Sequence, residues 1–415
     1  MGIPLEARLV DVINLIIAKG ANFLLTASIF ALASRNMDSH GFGEFGYWWS
    51  IAIMIGGVLL GGLSSALVRT AAVHGSLGHL AAPLRFVGFG LLLLVLAWWT
   101  LLLVMPTHTE LILLLAAIAV FGLALQTQTA VLALLRAAEA TRANIIASLL
   151  IVLLIPLVVY LLLDLSSNLV WVFYSLAFAF VIGTFASIVS SRRQLRHLFV
   201  FSRTSGATVA TFLANTFSFT AINFFAYVVV NVDFTLFRII GTADEFAVMA
   251  TGKVFFERFA LPFLLVFAGA VSLRVLRQPH SVGGPQAWIK VGAGYVVWVS
   301  AFGTVLMLAL AYWTFAIIIR GDSRSIPLPW VLCASFGYVL YAFNGILLDI
   351  LVVRRKLAAV VAHMAVFILL GSVLQAIAIA NFGLLGWALG WLLFNLLVTV
   401  ILARDGLSVL VPGRS

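Results

Sequence analysis

The ionisable and amide side chains of this chain that could do chemistry are few, and several fall inside long apolar stretches. Lys19 stands about two turns into the first such stretch, and Asn22 and Thr26 continue its face at i+3 and i+7. Gln126 and Gln128 sit mid-way along 111–135. Asn215 and Asn223 share similar faces of 209–232, and Lys253, Glu257 and Arg258 lie within 247–271. Asn344, Asp349 and Gln375 complete the set. A charge in hydrocarbon is costly, so each such residue must face protein, a water-filled cavity or a partner. Lys253 and Glu257 are i,i+4 neighbours that can neutralise each other within one helix. Asp349 has Arg354 and Arg355 close by. Were Lys19, Arg35, Lys253 and Arg258 to share one solvated cleft, only Glu257 among the deep residues would offset them. That cleft would be net cationic, a surface suited to an anionic or phosphate-bearing substrate, with Asn22, Gln126 and Asn223 as further lining. A carrier of lipophilic cations would place unpaired carboxylates there instead. Amides in apolar helices also serve helix–helix contact, and both roles stay open for these residues.

Catalytic chemistry finds little support. No nucleophile and base can be paired from the sequence. The seven histidines are dispersed, and His74 and His79 share a loop without metal-site cysteines. Asp244 and Glu245 are adjacent acids without a nearby histidine, a pattern that equally caps a helix. There is no Walker A sequence. An enzyme or polymerase acting on lipid-linked sugars would need an acidic cluster in a sizeable outer loop. Here Asp38, Glu44, Glu110, Asp164, Asp233, Asp244, Glu245 and Asp322 are scattered over short outer turns. No catalytic residue, metal or cofactor is expected.

The elements that must position these residues follow from composition. Of 415 residues, 64% are hydrophobic and 9% charged, and the mean hydropathy is +1.19. Soluble domains carry about 25% charge, so this surface cannot face water. The single cysteine, Cys333, excludes a disulfide scaffold. The net charge of +10 is spread between apolar segments rather than gathered in one patch, which argues against a nucleic-acid partner. The N-terminus mixes acid and base and shows no cleavage site, so its apolar stretch reads as a retained span. Spans are predicted at 12–33, 45–68, 84–105, 111–135, 143–163, 169–190, 209–232, 247–271, 288–318, 330–353, 357–380 and 384–402, the last two separated only by Asn381-Phe382-Gly383. With both ends cytoplasmic, seventeen basic residues fall on the inner rim, and Arg35, Arg238, Arg320 and Arg324 on the outer. The basic connector 191–208 then joins two halves, residues 1–200 and 201–415, and is either topogenic or a site for anionic lipid. At an offset of 201 residues, Asn22-Phe23 faces Asn223-Phe224 and Glu44-Phe45 faces Glu245-Phe246, as in a parallel repeat. The expected fold is an all-α polytopic membrane protein of twelve helices in two six-helix bundles. Gly56, Gly57, Gly61 and Gly62 permit close approach or bending of one helix.

The first two spans, IIAKGANFLLTASIFALASRNMDSHGFGEFGYWWSIAIMIGGVLLGGLSSALVR, carry a recognisable pattern. Ala33-Ser34-Arg35, the turn Gly41-Phe42-Gly43 before Phe45, and the exit Gly62-Leu63…Leu67-Val68-Arg69 resemble the polysaccharide flippases of the multidrug/oligosaccharidyl-lipid/polysaccharide exporter superfamily. Asn231-Val232-Asp233, Ile240-Gly241 and Asp244-Glu245-Phe246-Ala247, with Lys253 beyond, are similar to the start of that family's second half. The resemblance implies two MATE-like bundles that alternate access across the bacterial inner membrane. It implies movement of undecaprenyl-pyrophosphate-linked oligosaccharides from the cytoplasmic to the periplasmic leaflet, with Lys19, Arg35, Lys253 and Arg258 as cationic cavity residues. Implied partners are that lipid-linked substrate, membrane lipids and an associated polysaccharide polymerase or glycosyltransferases. Twelve spans look more like an O-antigen or exopolysaccharide flippase than the fourteen-span peptidoglycan-precursor flippases. The first alternative is a multidrug or small-metabolite antiporter of the same superfamily, which acids inside the first bundle would favour; none stands mid-span there. The second is a membrane glycosyltransferase or polymerase acting on lipid-linked sugars. The twelve-helix facilitator class is disfavoured because RTAAVHGSLGHLAAPLR lacks its Asp and its Gly-Arg-Lys ending.

Overall fold

The computed structural model describes residues 24–26, 28–33, 35–63, 66, 109–137, 141–163, 168–193, 206–257, 261, 264, 303, 328–353 and 357–410. The expectations for Lys19, Asn22, Arg258, the span 84–105 and, but for residue 303, the span 288–318 fall outside these residues. Every described regular element is helical. Helical residues within 24–36 lead to α1 (Ser39–Gly56), which passes into a π-helical stretch, Gly57–Gly61. Then come α2 (Thr109–Ala137), α3 (Thr141–Leu163), α4 (Leu169–Ser190), α5 (Gly206–Ile240), α6 (Ala243–Phe255), α7 (Leu328–Val353) and α8 (Leu357–Leu410). Three stretches are long and apolar enough to cross a membrane among the described residues: Glu110–Leu132, Leu169–Ser190 and Ala362–Arg404.

These helices are apolar on both faces. In α4, Phe173, Leu176, Phe180 and Gly183 are buried, yet the opposite stripe of Trp171, Phe178, Val181 and Phe185 is apolar and exposed. In α3, buried Ile151, Ile155 and Val159 stand opposite exposed Leu149, Leu153, Leu157 and Leu161. A helix hydrophobic all round belongs in a core or in lipid. An exposed stripe of this kind places it in lipid.

Two compact units form. One contains Gly20–Asn36 and Trp48–Tyr227; the other is built around Met37–Tyr47 and Val228–Ser415. In the first, Phe121 of α2 packs on Trp49, Phe173 and Phe180 with ring centroids 4.7, 5.6 and 5.5 Å apart. Backbone approach sets this core: a Cβ on Gly56 would collide with the Gly122 carbonyl oxygen, so α1 and α2 cross where neither has a side chain. Close approach, one of the two roles expected of the α1 glycines, is seen at Gly56, just before the π-helical stretch Gly57–Gly61.

In the second unit, α8 breaks at Gly383, whose φ of 54° and ψ of −129° are non-helical. Its two arms fold back on each other, with Gly371 against Phe394 and Gly390 against Gln375. The break falls at Asn381-Phe382-Gly383, where the sequence predicts one helix to end and the next to begin. The Glu245 side chain fills the space beside Gly383, and its Oε1 accepts from Leu384 N at 3.4 Å.

A helix–turn–helix recurs along the chain. Asp38 ends one turn by accepting Gly41 N on Oδ1 (2.7 Å) and Phe42 N on its carbonyl (2.9 Å). Thr242 ends the other: Oγ1 accepts Glu245 N (3.4 Å) and donates to Glu245 Oε2 (3.0 Å), while its carbonyl accepts Phe246 N (2.9 Å). Both are N-caps at the start of a helix, α1 and α6. They stand 204 residues apart, so the caps bring Phe42 and Phe246 into correspondence, three residues from the register expected from sequence.

Candidate functional site

The buried charges of the described residues gather in the unit built around Val228–Ser415. The sequence predicts Asp233 in an outer turn, after a helix ending at 232. Instead α5 continues to Ile240 and carries Asp233 inside it, 1% exposed. The cause is physical: the carboxylate does not need water here. Lys253, on α6 and 0% exposed, makes an ion pair with Asp233 Oδ1. Trp387 Nε1 of α8 donates to Oδ2 at 2.7 Å, and Phe234 N donates to Oδ1 at 2.7 Å. The same ammonium lies 3.4 Å from Glu257 Oε1, so the i,i+4 pair expected from sequence is formed. It also stands 4.8 Å from the Phe234 ring centroid, in reach of a cation–π contact.

Glu257 lies on a π turn, residues 256–257, that follows α6. Glu257 faces Tyr338 of α7, whose hydroxyl donates to its Oε1 at 3.4 Å. Aromatic rings seal the group. Phe256 stacks on Tyr338 at 5.3 Å and 13°, Trp330 meets both Phe256 and Trp387, and Trp391 meets Tyr338 at 5.3 Å. Four helices thus contribute to one ionisable cluster: Asp233, Lys253, Glu257 and Tyr338, with Trp387 donating from the fourth. Lys253 therefore does not stand as a bare cation. Its charge is answered by two carboxylates, and sequence spacing alone points to only one of them.

The remaining expected residues are dispersed. Arg35 is exposed beside the turn before α1. Gln126 is buried on α2, close to Gly56, and Gln128 is buried with no hydrogen-bond partner for Oε1. Asn223 lies on α5, and its side chain falls outside the described residues. Asn344 serves helix contact: it donates to the Asn395 carbonyl at 3.1 Å and accepts from Thr399 at 2.8 Å. Arg238 pairs with Glu44 at 3.0 Å and lies over the Tyr47 ring at 4.6 Å. Glu245 acts in a helix cap, one of the two roles its sequence context allows. Among the described residues, no group of three His, Cys, Asp or Glu side chains is placed to hold a metal.

No protein-family model matches the sequence, and no curated protein matches it. Solved structures do. An inward-facing multidrug resistance MATE family transporter of the MOP superfamily aligns over 97% of this chain and 100% of its own, with a TM-score of 0.62 and 12% identity. The lipid II flippase MurJ, in an inward closed conformation, aligns over 97% of this chain and 87% of its own, with a TM-score of 0.61 and 12% identity. A MATE transporter of Vibrio cholerae aligns over 96% and 97%, with a TM-score of 0.59 and 14% identity. Such low identities bear on architecture alone. The chain is a multi-pass, all-α membrane protein with the fold that MATE transporters share with the flippase MurJ.

Proposed function

We propose that the chain is an alternating-access transporter of the bacterial inner membrane and not an enzyme. In this reading twelve spans form two six-helix bundles, residues 1–200 and 201–415, with both termini cytoplasmic. Antiport of a small organic molecule is the reading supported best. The carrying observation is the charge arrangement: Lys253 is neutralised by Asp233 and Glu257, which removes one of the cations that argued for an anionic substrate. The full-length correspondence with a multidrug MATE transporter, against 87% of the lipid II flippase, supports the same choice.

Flipping of lipid-linked oligosaccharides is the second reading. It is favoured by the flippase-like sequence of the first two spans and by a TM-score to MurJ within 0.01 of that to the MATE transporter. In either reading Lys19, Asn22, Arg35, Gln126, Asn223 and Arg258 are proposed to line the central path, and the lipid-linked substrate and polysaccharide enzymes are partners only in the second. Deletion in the native host separates the two. Antiport predicts increased retention of exported dyes and drugs with normal surface glycan. Accumulation of lipid-linked repeat units in the cytoplasmic leaflet selects the second reading. Unchanged drug retention with unchanged glycan export contradicts both.

A further inference from the structure

We propose that the exposed face of α4 binds an anionic phospholipid of the cytoplasmic leaflet, with Arg192 and Arg193 holding its headgroup. The inference goes beyond transport and is the same for either substrate. It takes from the transport reading only which end of α4 is cytoplasmic. Between Leu169 and Ser191 the chain has no charged residue, and Arg192 and Arg193 then stand together. Trp171, Phe178 and Phe185 recur at seven-residue spacing, with Val181 and Val189 beside them, and all five are exposed. Seven residues make close to two helical turns, so these side chains form one stripe. Arg192 is the next step of the same spacing, and both arginines are exposed. Ser191 does not break the register: its N–H still donates to the Ser187 carbonyl at 3.1 Å, and residues 192–193 are helical.

The length of the stripe fits a bilayer. Trp171 and Arg192 are 21 residues apart, about 32 Å of helix, against a hydrocarbon layer of about 30 Å. Trp171 and Tyr174, with ring centroids 6.4 Å apart, then stand at one interface and the arginines at the other. Neither arginine forms an ion pair among the described residues. Guanidinium groups at a headgroup level are matched by phosphate, which accepts their paired N–H donors. An anionic phospholipid adds net negative charge there, which a zwitterionic one does not. Its acyl chain lies along Val189 and Phe185, one and two turns from Arg192. A second copy meeting through this stripe would offer no acid to the arginines, since the stretch contains none. Lipid answers both the apolar stripe and its basic end.

The test is photolabelling of the full-length protein in phosphatidylcholine vesicles. These carry either a diazirine-tailed phosphatidylglycerol or the matching phosphatidylcholine probe, and mass spectrometry maps the adducts. The anionic probe should label residues 178–189 about fivefold more or better, the preference that one arginine confers near an anionic surface. Added salt should narrow the difference. Arg192→Gln with Arg193→Gln should bring the two probes level, whereas Arg192→Lys with Arg193→Lys should keep the preference. Should the glutamine pair fail to fold, Arg192→Gln or Arg193→Gln alone must reduce it. Equal labelling by both probes in the unaltered protein overturns the proposal, as does a preference that survives the glutamine pair. Displacement of the probe by inorganic phosphate would show a soluble-anion site and also overturn it. So would cross-links between two chains at this stripe in place of lipid adducts, which would make a second copy the occupant. The labelling is read without any transported substrate, so its failure and the failure of the transport reading are separate results.

Discussion

A lysine and two acids at membrane depth persist because they answer one another. Taking one partner from a buried ion pair strands the other charge, at about 3–5 kcal/mol, whereas an apolar pair of similar volume is often neutral. Lys253→Met should therefore lower the thermal unfolding midpoint of the detergent-solubilised protein sharply. Asp233→Leu added to it should restore most of the loss; additive losses would show that the two do not act as a pair. Trp387→Phe keeps the ring contact with Trp330 but removes the indole donor from Asp233 Oδ2. That change should cost about 1.5–3 kcal/mol, the range for a hydrogen bond to a charged group, and denaturant titration measures it. Half of this site is legible in the sequence. Lys253 and Glu257 can be paired from their spacing, because four residues is a local distance on a helix. Asp233 cannot, since its partner lies twenty residues away across a turn. The one available signal is the apolar run Phe234, Leu236 and Phe237 beyond it, which shows that the helix continues past the acid.

At the scale of elements, the capped turns and the α8 hairpin hold the helices in place. Gly383→Ala should destabilise by about 1–3 kcal/mol from backbone strain alone, because φ 54° with ψ −129° lies outside the regions open to a residue with a Cβ. The added Cβ would also meet Glu245 Oε1 at 2.5 Å, so the fall in unfolding midpoint should shrink when Glu245→Ala is combined with it. Thr242→Ala should cost about 1 kcal/mol through loss of the α6 cap, with a smaller midpoint shift than Gly383→Ala as the check. Helices are legible where composition decides them: α4 matches the expected 169–190, and α2, α3 and α7 differ from expectation by two residues or fewer at each end. Boundaries are lost where side-chain chemistry decides them. α1 begins six residues before the expected 45 because Asp38 caps it through a stretch whose glycines read as a turn. α5 outruns its expected end because Asp233 is satisfied inside the protein.

For the whole molecule, a fold shared with transporters is joined to a buried cluster of paired charges. Composition alone leads to a polytopic membrane protein, because no arrangement of so few charges can cover a water-facing surface. The choice of substrate is less legible, since it rests on a tally of cations that the placement of Asp233 changes. Reconstitution of the full chain in proteoliposomes bears most directly on the claim of alternating-access transport. Under an imposed ion gradient, the expected result is saturable movement of a fluorescent organic dye, absent from protein-free vesicles. Proteoliposomes that hold the folded protein yet move neither the dye nor a labelled lipid-linked oligosaccharide, under any imposed gradient, would contradict alternating-access transport.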